Sequence, residues 1–126
     1  MKFQIISFVL MFMVVGCGGS GETVNEPTRI NHQRAQEMME LYDVIILDVR
    51  SEGEFASGHI QGAVLLPAPR IPFEAEALIP DTAQIILLYC QSGNRSVGAS
   101  RALAELGFTA VYDFGGINGW PGTIVQ

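Results

Sequence analysis

Two uninterrupted apolar runs, Val44-Ile45-Ile46-Leu47 and Ile85-Ile86-Leu87-Leu88-Tyr89, constrain this chain more than any other feature. Neither alternates with polar residues, so both faces of each strand need cover, which is the pattern of a parallel sheet with helices on its two sides. Each run stops at a residue with a reactive side chain, Asp48 after the first and Cys90 after the second. In open parallel sheets ligands bind beyond the carboxyl ends of the strands. Asp48 and Cys90 are therefore expected on one edge of the domain.

The segments around these runs supply the helices. Asn31 is placed to cap a helix over 32–41, whose apolar positions Ala35, Met38, Met39 and Tyr42 recur at helical spacing; the Met pair reads as core filling. A short polar helix is predicted over 52–57 and a strand over 63–66, closed by Pro67. Residues 67–80 hold four of the six prolines and read as loop, with at most a turn or two of helix around Glu74 to Leu78. From Ser96, the positions Val97, Ala99, Ala102, Leu103 and Leu106 mark a helix that Gly107 ends, and 110–112 form a last strand. Helices alternating with buried strands predict an α/β domain of three layers, a mainly parallel central sheet flanked by helices.

The N-terminus has a different character. Met1 and Lys2 precede an uncharged apolar run over 3–15, shorter than the roughly 20 residues that a membrane-crossing helix needs, and it reads as a signal peptide. Val14-Val15-Gly16-Cys17 resembles a bacterial lipoprotein cleavage site, and Gly18-Gly19-Ser20-Gly21 follows as a tether. The expected organisation is a signal peptide over 1–16, a lipidated Cys17 with a linker over 17–28, and a domain over 29–126. Export to the cell envelope follows, with contact to the bilayer through the lipid alone; Gly18 lacks the aspartate associated with inner-membrane retention, which favours an outer membrane where one exists. Without Lys2 the chain carries six arginines against 13 carboxylates, a formal charge of −7. Nucleic acids and anionic membrane surfaces reward basic patches, so this balance excludes them as partners.

With Cys17 acylated, Cys90 is the one remaining thiol and no internal disulfide can form. A lone thiol in an exported domain is a liability unless something uses it. The stretch CQSGNRS at 90–96 indicates the use. Gly93 lacks a Cβ and Asn94 tolerates left-handed backbone, so the chain from Gln91 to Ser96 can curl with its N–H groups inward, and the helix starting near Arg95 adds its positive end. Such a cradle holds an anion and favours Cys90 as thiolate, the form that attacks electrophilic sulfur or phosphorus. The plainer alternative is a buried cysteine before a strand-to-helix turn.

Three stretches together resemble a single-domain rhodanese, a sulfurtransferase, and the likeness covers 29–122. They are LDVR at 47–50 with EF at 54–55 and GHIQGA at 58–63, then CQSGNRS at 90–96, then GGINGW at 115–120. The resemblance implies that Cys90 takes a sulfane sulfur from a donor (thiosulfate, a persulfide or a polysulfide), becomes a persulfide, and passes the sulfur to cyanide or a thiol. Gln91, Ser92, Gly93, Asn94, Arg95 and Ser96 would bind the substrate, with Arg95 adding a donor fork, and no metal or organic cofactor is implied. The chain is expected to act as a monomer. Cys90 to Arg95 is six residues, one fewer than in the family's phosphatase relatives; a phosphatase or arsenate reductase, or a noncatalytic module of the same fold, are the alternatives.

The other members of the motifs read as structural. Asp48 and Arg50 are expected to pair with neighbours and hold the loops along the edge, and His59 to pack and hydrogen-bond, a direct part in the chemistry being the alternative for each; His32 is expected to be exposed and Trp120 to close the core. Arg70 reads as a solvated loop arginine, the alternative being attraction of an anionic donor to the pocket. Gln91 and Ser92 are neutral, and Lys2 is the only lysine in the chain. A persulfide or polysulfide therefore suits the loop better than dianionic thiosulfate.

Overall fold

The computed structural model describes residues 25–126. The expected signal peptide, Cys17 and the tether lie outside the described residues. Seven strands and four α-helices follow in the order β1 (Thr28–Arg29), α1 (His32–Leu41), β2 (Val44–Asp48), α2 (Glu52–Ser57), β3 (His59–Ile60), β4 (Val64–Leu65), α3 (Ile71–Leu78), β5 (Ile85–Cys90), α4 (Asn94–Glu105), β6 (Val111–Gly116) and β7 (Ile124–Val125), with a single 3₁₀ turn at Ala68–Arg70. Five strands form one sheet in the order β1-β6-β5-β2-β4, every neighbouring pair parallel; β3 and β7 form a separate antiparallel pair. The expected three-layer α/β architecture is present.

The direction of each crossover decides which face its helix covers. Right-handed connections running one way across a sheet lie on one face, and those running the other way lie on the opposite face. The links β4 to β5 and β5 to β6 run the same way, and their helices α3 and α4 pack Ile71, Ala75, Ala99 and Leu103 against Leu47, Ile86, Leu88 and Phe108. The link β1 to β2 runs back, and α1 sets Ala35 and Met38 against Ile46, Leu87, Tyr89 and Phe114 on the other face. The connections leaving β2 and β5 therefore diverge, and a crevice opens between the carboxyl ends of these two strands, where an open α/β sheet binds its ligands.

The elements differ from the sequence expectation in several places, among them the antiparallel pair of β3 and β7, which the sequence did not suggest. Thr28 and Arg29, at the end of the stretch read as linker, pair with Tyr112 and Asp113 as an edge strand. Residues 71–78 form a helix that starts three residues before the turn or two expected around Glu74 to Leu78, because Pro72 stands in the first turn, where a proline costs no hydrogen bond. The last parallel strand runs to Gly116 rather than ending at Tyr112. Asn94 is the first residue of α4, not left-handed; Gly93 alone makes the turn, with φ 99°. Elsewhere α1 and α2 fall where periodicity put them, and Ser51 caps α2 in a reciprocal pair with Glu54.

Phe108 has no exposed surface while Phe73 is 86% exposed. Phe108→Ala is expected to lower unfolding stability by about 3–5 kcal/mol and Phe73→Ala by no more than about 0.5 kcal/mol, read from urea denaturation midpoints.

Candidate active site

Cys90 closes β5, the middle strand of the sheet, and only 1% of its surface is exposed. Its side chain shares the α3/α4 face of the sheet with Leu88, and its Sγ accepts a hydrogen bond from the Gly93 N–H at 3.0 Å. Burial by itself raises a thiol's pKa. Here that effect is outweighed by the backbone N–H and hydroxyl of Ser96 and the N–H groups of Gly93 and Arg95, and the Cys90 thiol lies below its ordinary value. The Ser96 hydroxyl also lies 3.1 Å from the Gly93 carbonyl; its one proton can serve either acceptor, and it supports the thiolate when turned to the sulfur. The expected bowl of main-chain donors is thus present, with the sulfur on its floor.

Two glycines at the end of β6 let the loop lie where it does. The ladder between β5 and β6 slips by one residue between the Leu88–Asp113 and Cys90–Gly116 pairs, a bulge in which Gly115 takes φ 90° and donates its N–H to Asp113 Oδ1 at 2.8 Å. The bulge brings Gly116 directly beneath the Cys90 loop. A Cβ on Gly116 would strike the Gln91 carbonyl oxygen and stand 2.7 Å from its carbon. Gln91 instead settles on the glycine, with its carbonyl accepting from the Asn118 N–H at 3.3 Å while the Cys90 carbonyl accepts from the Ile117 N–H at 2.9 Å. Arg29, paired with Asp113, lies against the loop where a Cβ on Gly93 would be, 3.1 Å from it.

A buried polar network ties the loop to β2. Arg50, 3% exposed, donates to both oxygens of Asp48 at 2.7–3.1 Å, to the Gly58 carbonyl at 2.7 Å and to Gln91 Oε1 at 3.0 Å. The Tyr89 hydroxyl donates to Asp48 Oδ2 at 2.7 Å and accepts from the Ile60 N–H at 3.1 Å. Burial pulls the Arg50 pKa down, but its bonds to Asp48 outweigh this and hold it above the usual value. The Tyr89 phenol is pushed up by burial, reinforced by its bond to Asp48. Gln91 extends the chain, donating to Asn118 Oδ1 at 2.7 Å. Asp48 and Arg50 take the structural pairing expected of them, here with each other, and Arg50 touches the loop through Gln91 rather than through the sulfur.

Arg95 departs from expectation. Its two terminal nitrogens donate to the two oxygens of Glu54 at 2.7 and 2.8 Å, so the fork expected to face an anion is occupied by a carboxylate from α2. The Arg95 bonds, with Ser51 adding two more, lower the Glu54 pKa to about 2. Arg95 serves the sulfur through its backbone N–H and its nearby charge. Gln91 is half-buried, Ser92 and Asn94 are exposed, and Gly93 and Ser96 are buried.

The remaining singled-out residues stand outside the bowl. His59 stacks on Phe55 at 3.7 Å between ring centroids, with Nδ1 2.9 Å from the Phe55 carbonyl, the packing role expected of it. His32 is half-buried rather than exposed: its Nε2 lies 2.8 Å from the Gly116 carbonyl, and its ring meets Trp120 edge-on at 5.3 Å. Trp120 packs on the α1 side of the core beside Phe114, as expected. Arg70 reaches Glu52 at 2.9 Å on the surface. Glu54, Gly116 and Asn118, quoted above in the motifs but given no role, and Tyr89 are the residues of this region that sequence reasoning left unassigned. Glu54 sits in the capping pattern S-x-x-E, which explains the helix start but gives no hint of a partner 41 residues away. The glycine doublet at a strand end was the available sign of close backbone approach.

The profile of the rhodanese-like domain family matches residues 31–122. The chain is 32% identical over 94 residues to a thiosulfate sulfurtransferase GlpE from Tolumonas auensis, covering 74% of this chain and 87% of that one. It is 31% identical over 71 residues to the thiosulfate sulfurtransferase PspE of Escherichia coli, covering 56% and 68% of the two chains. Among solved structures, a rhodanese-related protein from Thermoplasma volcanium superposes with TM-score 0.68 at 27% identity, over 78% of this chain and 97% of that one. A rhodanese with anions from E. coli gives TM-score 0.62 at 28% identity, over 65% and 96%.

Because the Cys90 thiol is lowered below the ordinary range, its thiolate absorbance in the ultraviolet, taken as the difference from Cys90→Ser, is expected to persist to a pH below that of free cysteine. Ser96→Ala removes one donor and is expected to move the midpoint up. Gly116→Ala, which displaces Gln91, is expected to move it up as well and to lower stability in urea.

Proposed function

The chain belongs to the rhodanese-like family, and we propose that it is a sulfurtransferase in which Cys90 carries the sulfur as a persulfide. The observation that supports this reading best is the thiol itself, buried, lowered in pKa and surrounded by main-chain N–H groups. In the first step the Cys90 thiolate attacks the terminal sulfur of a donor, a thiosulfate, persulfide or polysulfide. The donor's sulfur–sulfur bond breaks, and its electron pair leaves with the remainder. In the second step cyanide or a thiolate attacks the outer sulfur of the Cys90 persulfide and the thiolate returns. The negative charge moves from Sγ to the outer sulfur and back within the same bowl, so fixed N–H donors stabilise each state without rearrangement. Gly93, Ser96 and the Arg95 backbone supply these donors, while Gln91, Ser92 and Asn94 line the loop. A sulfur this deeply seated is reached by donors whose transferable sulfur is terminal and unbranched.

Exposing the purified protein to thiosulfate or a persulfide, removing excess donor and weighing the intact chain is expected to show a gain of one sulfur atom. That gain disappears on addition of cyanide and is absent from Cys90→Ser. Turnover of an aryl phosphate or arsenate without any such adduct would move the assignment to oxyanion chemistry.

We propose in addition that the protein is exported, cleaved before Cys17 and held at the cell envelope by lipid on that residue, working there as a monomer. Support comes from the apolar run ending in Val14-Val15-Gly16-Cys17. Radiolabelled palmitate is expected to enter the wild-type protein expressed in bacteria and not Cys17→Ala; equal labelling of the two would refute the anchor.

A further inference from the structure

Four arginines stand along the carboxyl edge of the sheet, and each is paired with a carboxylate. Arg29 meets Asp113 at 3.3 Å, Arg50 meets Asp48 at 2.7 Å, Arg70 meets Glu52 at 2.9 Å and Arg95 meets Glu54 at 2.7 Å. Of the other two described arginines, Arg34 pairs with Glu37 on α1. Arg101 is exposed six residues beyond Arg95 on α4, about 9 Å along the helix axis. The pair that matters for the mouth is the one between Arg95 and Glu54. It joins α2, which leaves β2, to α4, which leaves β5, and so spans the crevice between the two diverging connections. Both guanidinium ends are taken by the two carboxylate oxygens. Gln91 and Ser92 beside it are neutral.

We propose that Glu54 is a specificity-determining residue: by holding the Arg95 guanidinium it leaves the mouth of the site without a free cation and directs it to sulfur donors of low charge, persulfides of small thiols foremost, rather than to dianionic thiosulfate. This inference rests on the sulfurtransferase reading and adds the class of donor. The penalty for taking an ion out of water rises with the square of its charge, so a dianion costs about four times as much as a monoanion of the same size. The main-chain N–H groups of the loop are already engaged with one thiolate charge. A second and third charge arriving together find Arg95 neutralised. A thiol persulfide avoids this. The Cys90 thiolate attacks the outer sulfur of R–S–SH, the new sulfur–sulfur bond forms as the old one breaks, and RSH leaves with the bonding electron pair and the proton that the outer sulfur carried. One negative charge enters the step and one remains, on the Cys90 persulfide.

The test separates charge from chemistry by using two donors that both deliver a terminal sulfur from a sulfonyl sulfur: thiosulfate, a dianion, and methanethiosulfonate, a monoanion. Transfer to cyanide by the full-length protein is measured with each at low ionic strength. The wild type is expected to show the higher kcat/KM with methanethiosulfonate. Glu54→Gln keeps a residue able to complete the Ser51 capping box and frees Arg95. It is expected to shift the ratio toward thiosulfate by about tenfold, chiefly through a lower KM for thiosulfate, and added salt is expected to shrink that shift. A wild type that prefers thiosulfate, or a Glu54→Gln ratio unchanged from wild type while the Cys90 persulfide still forms, overturns the assignment to Glu54 and leaves the sulfurtransferase reading standing. If Glu54→Gln does not fold, the wild-type preference between the two donors decides. Absence of a Cys90 persulfide with either donor would instead remove the sulfurtransferase reading, and this inference with it.

Discussion

A thiol with almost no exposed surface is normally a poor nucleophile, because burial favours its neutral form. The chemistry proposed for Cys90 therefore depends on one balance: the N–H groups of Gly93, Arg95 and Ser96 and the Ser96 hydroxyl outweigh the cost of burial. These donors belong to residues 93–96, a single tight turn. None of them reaches the sulfur unless the backbone from Gln91 to Ser96 keeps its curl, so the conformation of six residues is the quantity that the rest of the structure protects.

The protection is distributed over three strand ends. Gly93 supplies the positive φ that turns the chain, and Gly116 supplies the empty space on which Gln91 rests. The Asp48–Arg50 pair is fully desolvated and would be a weak source of stability by itself. Its value lies in direction, since Arg50 has a nitrogen left for Gln91, and Gln91 in turn holds Asn118. Tyr89 adds a bond from β5 to the same carboxylate and ties it to Ile60. Loops following β2, β5 and β6 are thereby joined by side chains that are themselves saturated with partners. A half-satisfied network of this kind would cost more than an apolar one.

The architecture was legible in the sequence wherever burial imposes a pattern. The uninterrupted apolar runs of β2 and β5 identified a parallel sheet, and their terminal residues, Asp48 and Cys90, stand on one edge of it as expected. The curl of the Cys90 loop was legible from Gly93. What escaped were features set by tertiary contact. The strand Thr28–Arg29 is polar and exposed and exists through its pairing with β6. The first turn of the helix Ile71–Leu78 was hidden by prolines that stand before it or within that turn, where they do no harm. The engagement of Arg95 by Glu54 was invisible because a sequence shows which charges exist and not which of them meet across a fold. His32 was misplaced for the same reason: its partner, the Gly116 carbonyl, is 84 residues away.

In the proposed reaction the donors that would stabilise the sulfur are mostly backbone atoms, whereas the charge at the mouth would be set by two side chains on separate helices, Glu54 and Arg95. Point mutation leaves main-chain amides in place but rewrites side chains freely. On the proposed reading, descendants of such a scaffold could exchange one sulfur source for another through a change on α2 alone, retaining the reaction while moving to a new metabolic niche.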